Sequence, residues 1–223
     1  SCEDFYDEEM QVIDIPISPI LSPQQNAAKF YKDYTRMKNA EKELTRQLTI
    51  GREERSYLQS VLEELNRADT EQELEEIRQE LSAGGYVKAD TAKKRMKQSK
   101  LPPMRFESTD GYPIYVGRNN RQNDELTFKL ARKDDIWLHA QKVHGSHVII
   151  RAEDTVPDDE TLYEAACLAA YYSQGREGGK VPVDYCLAKY VKKPRGSMPG
   201  MVIYTDYKTI AADSSVDILE KLK

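Results

Sequence analysis

Residues 102–117 read Pro-Pro-Met-Arg-Phe-Glu-Ser-Thr-Asp-Gly-Tyr-Pro-Ile-Tyr-Val-Gly, and the hydrophobic period of the chain changes there. Arg105–Thr109 and Tyr112–Gly117 flank Asp110-Gly111, a dipeptide that favours a tight turn between two strands. Ahead of the prolines, apolar residues recur every three or four positions, as on a helix. Beyond them they alternate or cluster in short runs, as in strands. The predicted fold class is therefore α+β: a long antiparallel helical hairpin with coiled-coil character, followed by a strand-rich globular domain.

Working toward the carboxyl end, strands suit 135–139, 146–151, 184–191, 201–205 and 208–212. Helices suit 121–132 and 159–175, the latter with Leu162, Ala165, Ala166, Ala169 and Tyr172 as its buried stripe. Working toward the amino end, Ser22-Pro23-Gln24-Gln25 is a helix start, with Ser at the cap and Pro at the first helical position. Ala27, Tyr31, Tyr34, Met37, Leu44, Leu48, Leu58, Leu62 and Leu65 then trace a coiled-coil seam. Gly51 and Arg55 interrupt that seam. Thr70-Glu71-Gln72-Glu73 forms a capping box for a second helix bearing Leu74, Ile77 and Leu81, which Gly84-Gly85 ends. The short link between the two helices makes them antiparallel. The expected division is an extended lead-in over 1–23, the helical hairpin over 24–85, a basic linker over 86–104 and the α+β domain over 105–223.

Charge follows the same division. The chain carries 33 Lys+Arg against 38 Asp+Glu, but residues 1–87 sum to −9, residues 88–105 to +6 and residues 106–223 to −2. A basic bridge between acidic blocks is a candidate polyanion contact or a solvated linker. No apolar run approaches the roughly 18 residues of a membrane span. The chain opens at Ser1 without a leader, as a fragment of a longer protein would. Cys2, Cys167 and Cys186 are odd in number and far apart, which fits a reducing compartment and neither a disulfide framework nor a zinc site.

Five groups of residues are candidates for chemistry. Arg118, Asn119, Asn120 and Arg121 precede a helix, where amides and guanidinium groups can cradle phosphate. Asparagines there serve equally well as caps and turns. On strand 135–139, Asp135, Trp137 and His139 share one face and Ile136 and Leu138 the other. With the aliphatic face in the core, Trp137 and His139 form either a stacking platform for a base or a buried Trp beside a hydrogen-bonded His. Lys189, Lys192, Lys193 and Arg195 end a strand as a polyanion contact or a solvated edge. His139, His144 and His147 lack the Cys or clustered carboxylates of a familiar metal site. Ser146-His147 places adjacent side chains on opposite strand faces, without a nucleophile elbow. Nothing in the sequence assembles a catalytic constellation.

Taken together, Val116-Gly117-Arg118-Asn119-Asn120-Arg121-Gln122-Asn123 with Leu126-Thr127, then Asp134-Asp135-Ile136-Trp137-Leu138-His139, Gly145-Ser146-His147-Val148 and Val191-Lys192-Lys193-Pro194 resemble the NFACT-R domain of the NFACT family. Ser22-Pro23 and the helix behind it are similar to that family's coiled-coil and middle segment. The family covers ribosome-quality-control tailing factors, some first described as fibronectin-binding proteins. A full member also has an amino-terminal NFACT domain with an Asp-Arg pair tied to tRNA selection. The resemblance implies the half that binds tRNA and the large (50S) ribosomal subunit and supports alanine tailing of stalled nascent chains. It implies a cytoplasmic, non-catalytic component without metal or cofactor, whose middle segment, residues 50–85, approaches the stalk base. The implied nucleic-acid-binding residues are Arg118, Asn119, Asn120, Arg121, Gln122, Asn123, Trp137, His139, His147, Lys192 and Lys193. The alternative is a cell-surface adhesin for fibronectin or fibrinogen, without a membrane span.

Overall fold

The structure, a computed structural model, describes residues 1–88, 100–152, 155–215 and 217–222. Its elements are β1 (Cys2–Glu3), β2 (Val12–Ile13), α1 (Pro23–Arg67), α2 (Glu71–Ala83), β3 (Met104–Glu107), β4 (Pro113–Val116), α3 (Asn120–Glu125), β5 (Ile136–Ala140), β6 (Val148–Ile150), α4 (Asp159–Tyr171), β7 (Lys180–Leu187), β8 (Val191–Lys192), β9 (Ile203–Tyr204), β10 (Lys208–Asp213) and α5 (Asp217–Lys221). The chain forms two compact units, Ser1–Glu53 and Glu54–Lys223.

In the first unit, β1 and β2 pair antiparallel through Cys2↔Ile13 and Glu3↔Val12. The helix start is as predicted. Ser22 Oγ accepts the Gln25 N–H at 3.2 Å while Gln25 Oε1 accepts the Ser22 N–H at 2.8 Å, a reciprocal cap. Asn26 is buried, its carboxamide bonded to Ser18, Leu21 and Ser22. The seam residues Tyr31, Tyr34, Met37, Leu44 and Leu48 are exposed, so nothing among the described residues covers them. α1 keeps its helical assignment through Gly51.

In the second unit, Thr70 caps α2 through the predicted reciprocal box with Glu73. The packing face of the helices differs from the expected seam. Tyr57, Val61 and Ile77 are buried together, with Leu81 and Tyr86 against them, while Leu58, Leu62, Leu65 and Leu74 face solvent. Tyr57 lies against Glu80 and Glu54 against Tyr86, so the part of α1 from Glu54 onward and α2 run in opposite directions. The boundary between the two compact units falls within α1, after Glu53. Residues 54–85 belong to the same unit as the sheet, and residues 89–99, the centre of the expected basic linker, lie outside the described residues.

The sheet has six strands in the order β10-β7-β5-β6-β4-β3, every neighbouring pair antiparallel. The Asp110-Gly111 turn joins β3 to β4, but the loop is longer than two residues. Ser108 and Tyr112 close it with a backbone bond of 2.9 Å, and Gly111 sits at φ +84°, the left-handed geometry that glycine adopts without strain. Side chains on one face of the sheet, including Ile114, Leu138, Val148 and Val183, pack on Leu162, Ala165, Ala166 and Ala169 of α4. Cys167 is buried in this core. The other face, Tyr115, Trp137, Ile149 and Cys186, is covered by Leu126, Val191, Val202 and Tyr204. The helix expected over 121–132 is α3 for six residues and then a π-helical turn over Leu126–Leu130, a widening found frequently at functional sites. The strand expected over 184–191 begins at Lys180, breaks into a 3₁₀ turn at Ala188–Tyr190 and resumes as β8, which pairs with β9.

Candidate nucleic-acid interface

The chain leaves β4 at Gly117 and enters α3 through Arg118 and Asn119. A Cβ at Gly117 would overlap the Asn123 carboxamide, so this close approach needs glycine. Asn119 caps α3, its Oδ1 accepting the Gln122 N–H at 2.9 Å. Gln122 returns the support: its Oε1 accepts the Arg118 N–H at 2.8 Å and its Nε2 donates to the Leu101 carbonyl at 2.8 Å. Asn123 Oδ1 accepts the His147 N–H at 3.0 Å. Asn119, Asn120, Gln122 and Asn123 are all buried. Their amides therefore hold the loop, its neighbours and α3 together and are not presented to a ligand as the phosphate reading requires. Capping is the use the structure makes of them.

What buries them is α2 and the carboxyl-terminal part of α1. Arg118 Nη1 pairs with Glu73 Oε1 at 2.6 Å, Asn119 Nδ2 donates to Glu76 Oε2 at 3.0 Å, and the Arg121 N–H donates to Glu80 Oε2 at 3.3 Å. Asn120 Nδ2 reaches Ser60 Oγ at 2.8 Å. From the end of α1, Arg67 Nη1 donates to Ser146 Oγ at 3.1 Å and to the Tyr172 carbonyl at 2.6 Å. Three carboxylates of α2 thus stand where phosphate oxygens were expected. Sequence reasoning missed these partners, although the signal was present: Glu73, Glu76 and Glu80 recur at helical spacing on one face of α2, around Ile77.

The charges respond to this burial. Desolvation pushes the Glu73 carboxyl up, but the Arg118 bond, the Asp69 amide and the Thr70 hydroxyl outweigh it and hold the carboxyl below its usual range. Burial pushes Glu80 up, against bonds from Tyr57 and Arg121. Glu64 is raised well above the usual carboxylate range, first by burial and then by the charge of Glu80, and its Oε2 has no hydrogen-bond partner.

Trp137 is 0% exposed, which corrects the platform reading: the second sheet face is covered as fully as the first. The indole stacks on His139, with centroids 5.7 Å apart and planes 10° from parallel, and meets His147 edge-on at 5.2 Å. His147 is buried as well, its Nδ1 2.7 Å from Thr127 Oγ1, so its position is a packing one. His139 is half-buried, and burial pushes its pKa down to about 4. Lys193 is bound to Asp124 at 2.5 Å and to the Met198 carbonyl at 3.1 Å. Lys192 and the Arg121 side chain are exposed. Of the predicted set, the structure gathers Arg118 through Asn123 beside α2 and the end of α1, and Trp137, His139 and His147 in one aromatic cluster. It leaves Arg121, Lys192 and part of His139 accessible. Among the described residues, no group of His, Cys, Asp or Glu side chains could hold a metal ion, and no helix is long and apolar enough to cross a membrane.

Residues 1–100 match the family described as NFACT N-terminal and middle domains, and residues 103–204 match the NFACT protein RNA binding domain. The chain belongs to the NFACT family. It is 39% identical over 221 residues to the Rqc2 homolog RqcH of Bacillus subtilis, covering 98% of this chain and 38% of that protein. It is 41% identical over 212 residues to the Rqc2 homolog RqcH of Streptococcus suis, covering 95% of this chain and 38% of the relative. The chain thus spans little more than a third of the curated NFACT relatives it matches. Among solved structures, the C-terminal of the fibronectin/fibrinogen-binding protein from Streptococcus suis superposes with a TM-score of 0.84 at 41% identity, covering 92% of this chain and 81% of that one. The motif series of 116–127, 134–139, 145–148 and 191–194 lies within the residues that match this RNA binding domain of the NFACT family.

Proposed function

We propose that this chain is the RNA-binding half of a ribosome quality control factor, which binds tRNA and the large ribosomal subunit and supports alanine tailing of stalled nascent chains. It works by binding and not by catalysis, in the cytoplasm, without metal or cofactor. The observation that carries this reading is the RNA-binding domain over residues 103–204 in a chain about 40% identical to RqcH proteins. The exposed cations Arg121 and Lys192 support it, because most of the free energy of non-specific nucleic-acid binding comes from neutralising phosphates. Phosphate contacts position an RNA without reading its sequence.

Titration of the chain with tRNA at several salt concentrations tests the reading. Affinity should fall by roughly 0.7–0.9 log unit per contact per decade of salt, and reversing Arg121 and Lys192 to Glu should flatten that slope. Cosedimentation with large subunits tests the middle segment, 50–85. Replacing the exposed Leu58 and Leu62 with Glu should reduce the pelleted fraction if this segment docks at the stalk base. Absence of salt-dependent tRNA binding overturns the reading. A second reading rests on the likeness to the Streptococcus suis protein, which is named for binding fibronectin and fibrinogen. Saturable binding to immobilised fibronectin, with no tRNA binding, would put that reading in its place.

A further inference from the structure

A cavity of about 210 Å³ opens beside the aromatic stack, lined by Ser56, Tyr57 and Ser60 of α1, Asn120, the β5–β6 turn and the segment 199–204. Four flat side chains, His139, His144, Tyr57 and Tyr204, are among its lining. Tyr57 donates its hydroxyl to Glu80 and Tyr204 donates its own to Asp184, at 2.8 and 2.7 Å, so these side chains offer ring surface and not a free polar end. His139 is held by Trp137 stacked on it and by His147 standing perpendicular at 5.5 Å. Its ring plane is therefore set before any ligand arrives.

Two polar groups in the lining are uncommitted. Among the described residues, neither the His144 imidazole nor the Ser56 hydroxyl makes a hydrogen bond. Burial lowers the pKa of both His139 and His144, so both rings are neutral at physiological pH. A neutral imidazole stacks and hydrogen-bonds without attracting phosphate into the cavity. The positive charge sits at the rim instead. Lys142 lines the opening, is exposed, and has no ion pair among the described residues. It occupies the left-handed region at φ 58°, a conformation uncommon for a residue with a side chain and associated with functional turns.

We propose that this cavity takes one unpaired nucleobase, stacked against His139 and His144 and hydrogen-bonded by His144 and Ser56, with the adjoining phosphate at Lys142. The volume admits a single base and not a base pair, so the ligand is single-stranded or bulged. A metal in place of the base is not supported, because among the described residues no group of His, Cys, Asp or Glu side chains could hold one. The inference rests on the RNA-binding reading above and adds a base-binding element to it. Stacking of one base on an aromatic side chain changes affinity by a factor of roughly 10 or more.

The test uses the whole chain and four probes: an RNA hairpin with one bulged uridine, the same hairpin without the bulge, the same hairpin with an abasic residue at the bulge, and free uridine monophosphate. Affinity is read by anisotropy, and occupancy by the emission of Trp137, the only tryptophan in the chain. The bulged RNA should bind roughly tenfold tighter than the other two and alone among the RNAs shift the emission. His144→Ala should remove that advantage without moving the melting temperature, and Lys142→Ala should lower the affinity of the bulged RNA and its salt dependence. Equal binding of all three RNAs, unaffected by His144→Ala, overturns the base site and leaves RNA binding standing. A shift with uridine monophosphate that His144→Ala abolishes, in the absence of any RNA binding, keeps the nucleobase site, assigns it to a free nucleotide and overturns the RNA reading. If neither RNA nor nucleotide binds, both readings fall.

Discussion

Replacing Trp137 with Ala separates packing from recognition in the globular unit. The side chain is 0% exposed and packs between Leu126, Ile149 and Val191, with His139, His147 and Tyr204 as ring neighbours. Truncating a fully buried Trp to Ala costs about 3–5 kcal/mol, the lost transfer free energy plus the cavity left behind. In a unit of this size each kcal/mol moves the melting temperature by about 2–4 °C, so the expected drop is on the order of 10 °C. Trp137 Nε1 has no hydrogen-bond partner. Trp137→Phe therefore forfeits no bond and should cost about 1–2 kcal/mol, a fraction of the alanine loss. The assay is a thermal melt followed by circular dichroism, paired with an RNA titration well below the transition of each variant. Trp137→Phe should retain RNA affinity within about twofold, because a ring remains to support His139. An alanine variant that melts with the wild type and loses RNA affinity would show that the indole meets RNA directly, and would refute the two-faced core.

Glu64→Gln should raise stability increasingly as pH rises. Burial and Glu80 lift the folded pKa of Glu64 above its unfolded value, so its favourable contribution is present below the unfolded pKa and is lost as pH climbs through the folded one; melts between about pH 5 and pH 8 would show the variant pulling away from wild type toward the alkaline end. Arg118→Ala should cost about 1–3 kcal/mol by leaving Glu73 unpaired in a largely buried site, with the RNA salt slope unchanged, whereas Arg121→Glu should change the slope with little effect on the melt. Gly117→Ala should destabilise by about 1–3 kcal/mol, because its methyl overlaps the Asn123 carboxamide that receives the His147 amide; a neutral melt would show that the loop yields freely.

Local chemistry was legible in the sequence. Ser22 with Gln25, Thr70 with Glu73 and Asp110-Gly111 each act through neighbours within four residues, and each appears as expected. The α4 stripe of Leu162, Ala165, Ala166 and Ala169 also lies in the core, because helical period identifies a buried face wherever a sheet waits beneath it. Alternation on strand 135–139 correctly divided its residues between two faces. It carried no information on whether the second face is covered, which is decided by Val191, Val202 and Tyr204, more than fifty positions downstream. The seam was displaced for a related reason. Leu58, Leu62 and Leu65 form a regular apolar line, but the neighbouring line of Tyr57, Val61, Glu64 and Arg67 meets α2 and the globule. At the site, the sequence left phosphate binding and capping open for Arg118–Arg121, and within the chain these groups cap α3 and meet carboxylates of α2. Guanidinium and amide groups accept a carboxylate as readily as a phosphate, and Glu73, Glu76 and Glu80 supply theirs from within the chain.

The three thiols stand in three different surroundings. Cys2 is exposed, Cys167 is buried in the α4 core, and Cys186 is buried beside Trp137 on the neighbouring strand, with its pKa pushed up to about 11 by that burial. Alkylating reagents act on thiolates, so in the native protein they modify Cys2 alone and reach the other two only during transient opening. Because Cys167 and Cys186 report on opposite sides of one sheet, their separate modification rates measure how often each layer lifts away. Equal rates would mean that the unit opens as a single cooperative piece. A faster Cys186 would mean that the layer carrying the aromatic stack breathes while the helical layer stays closed.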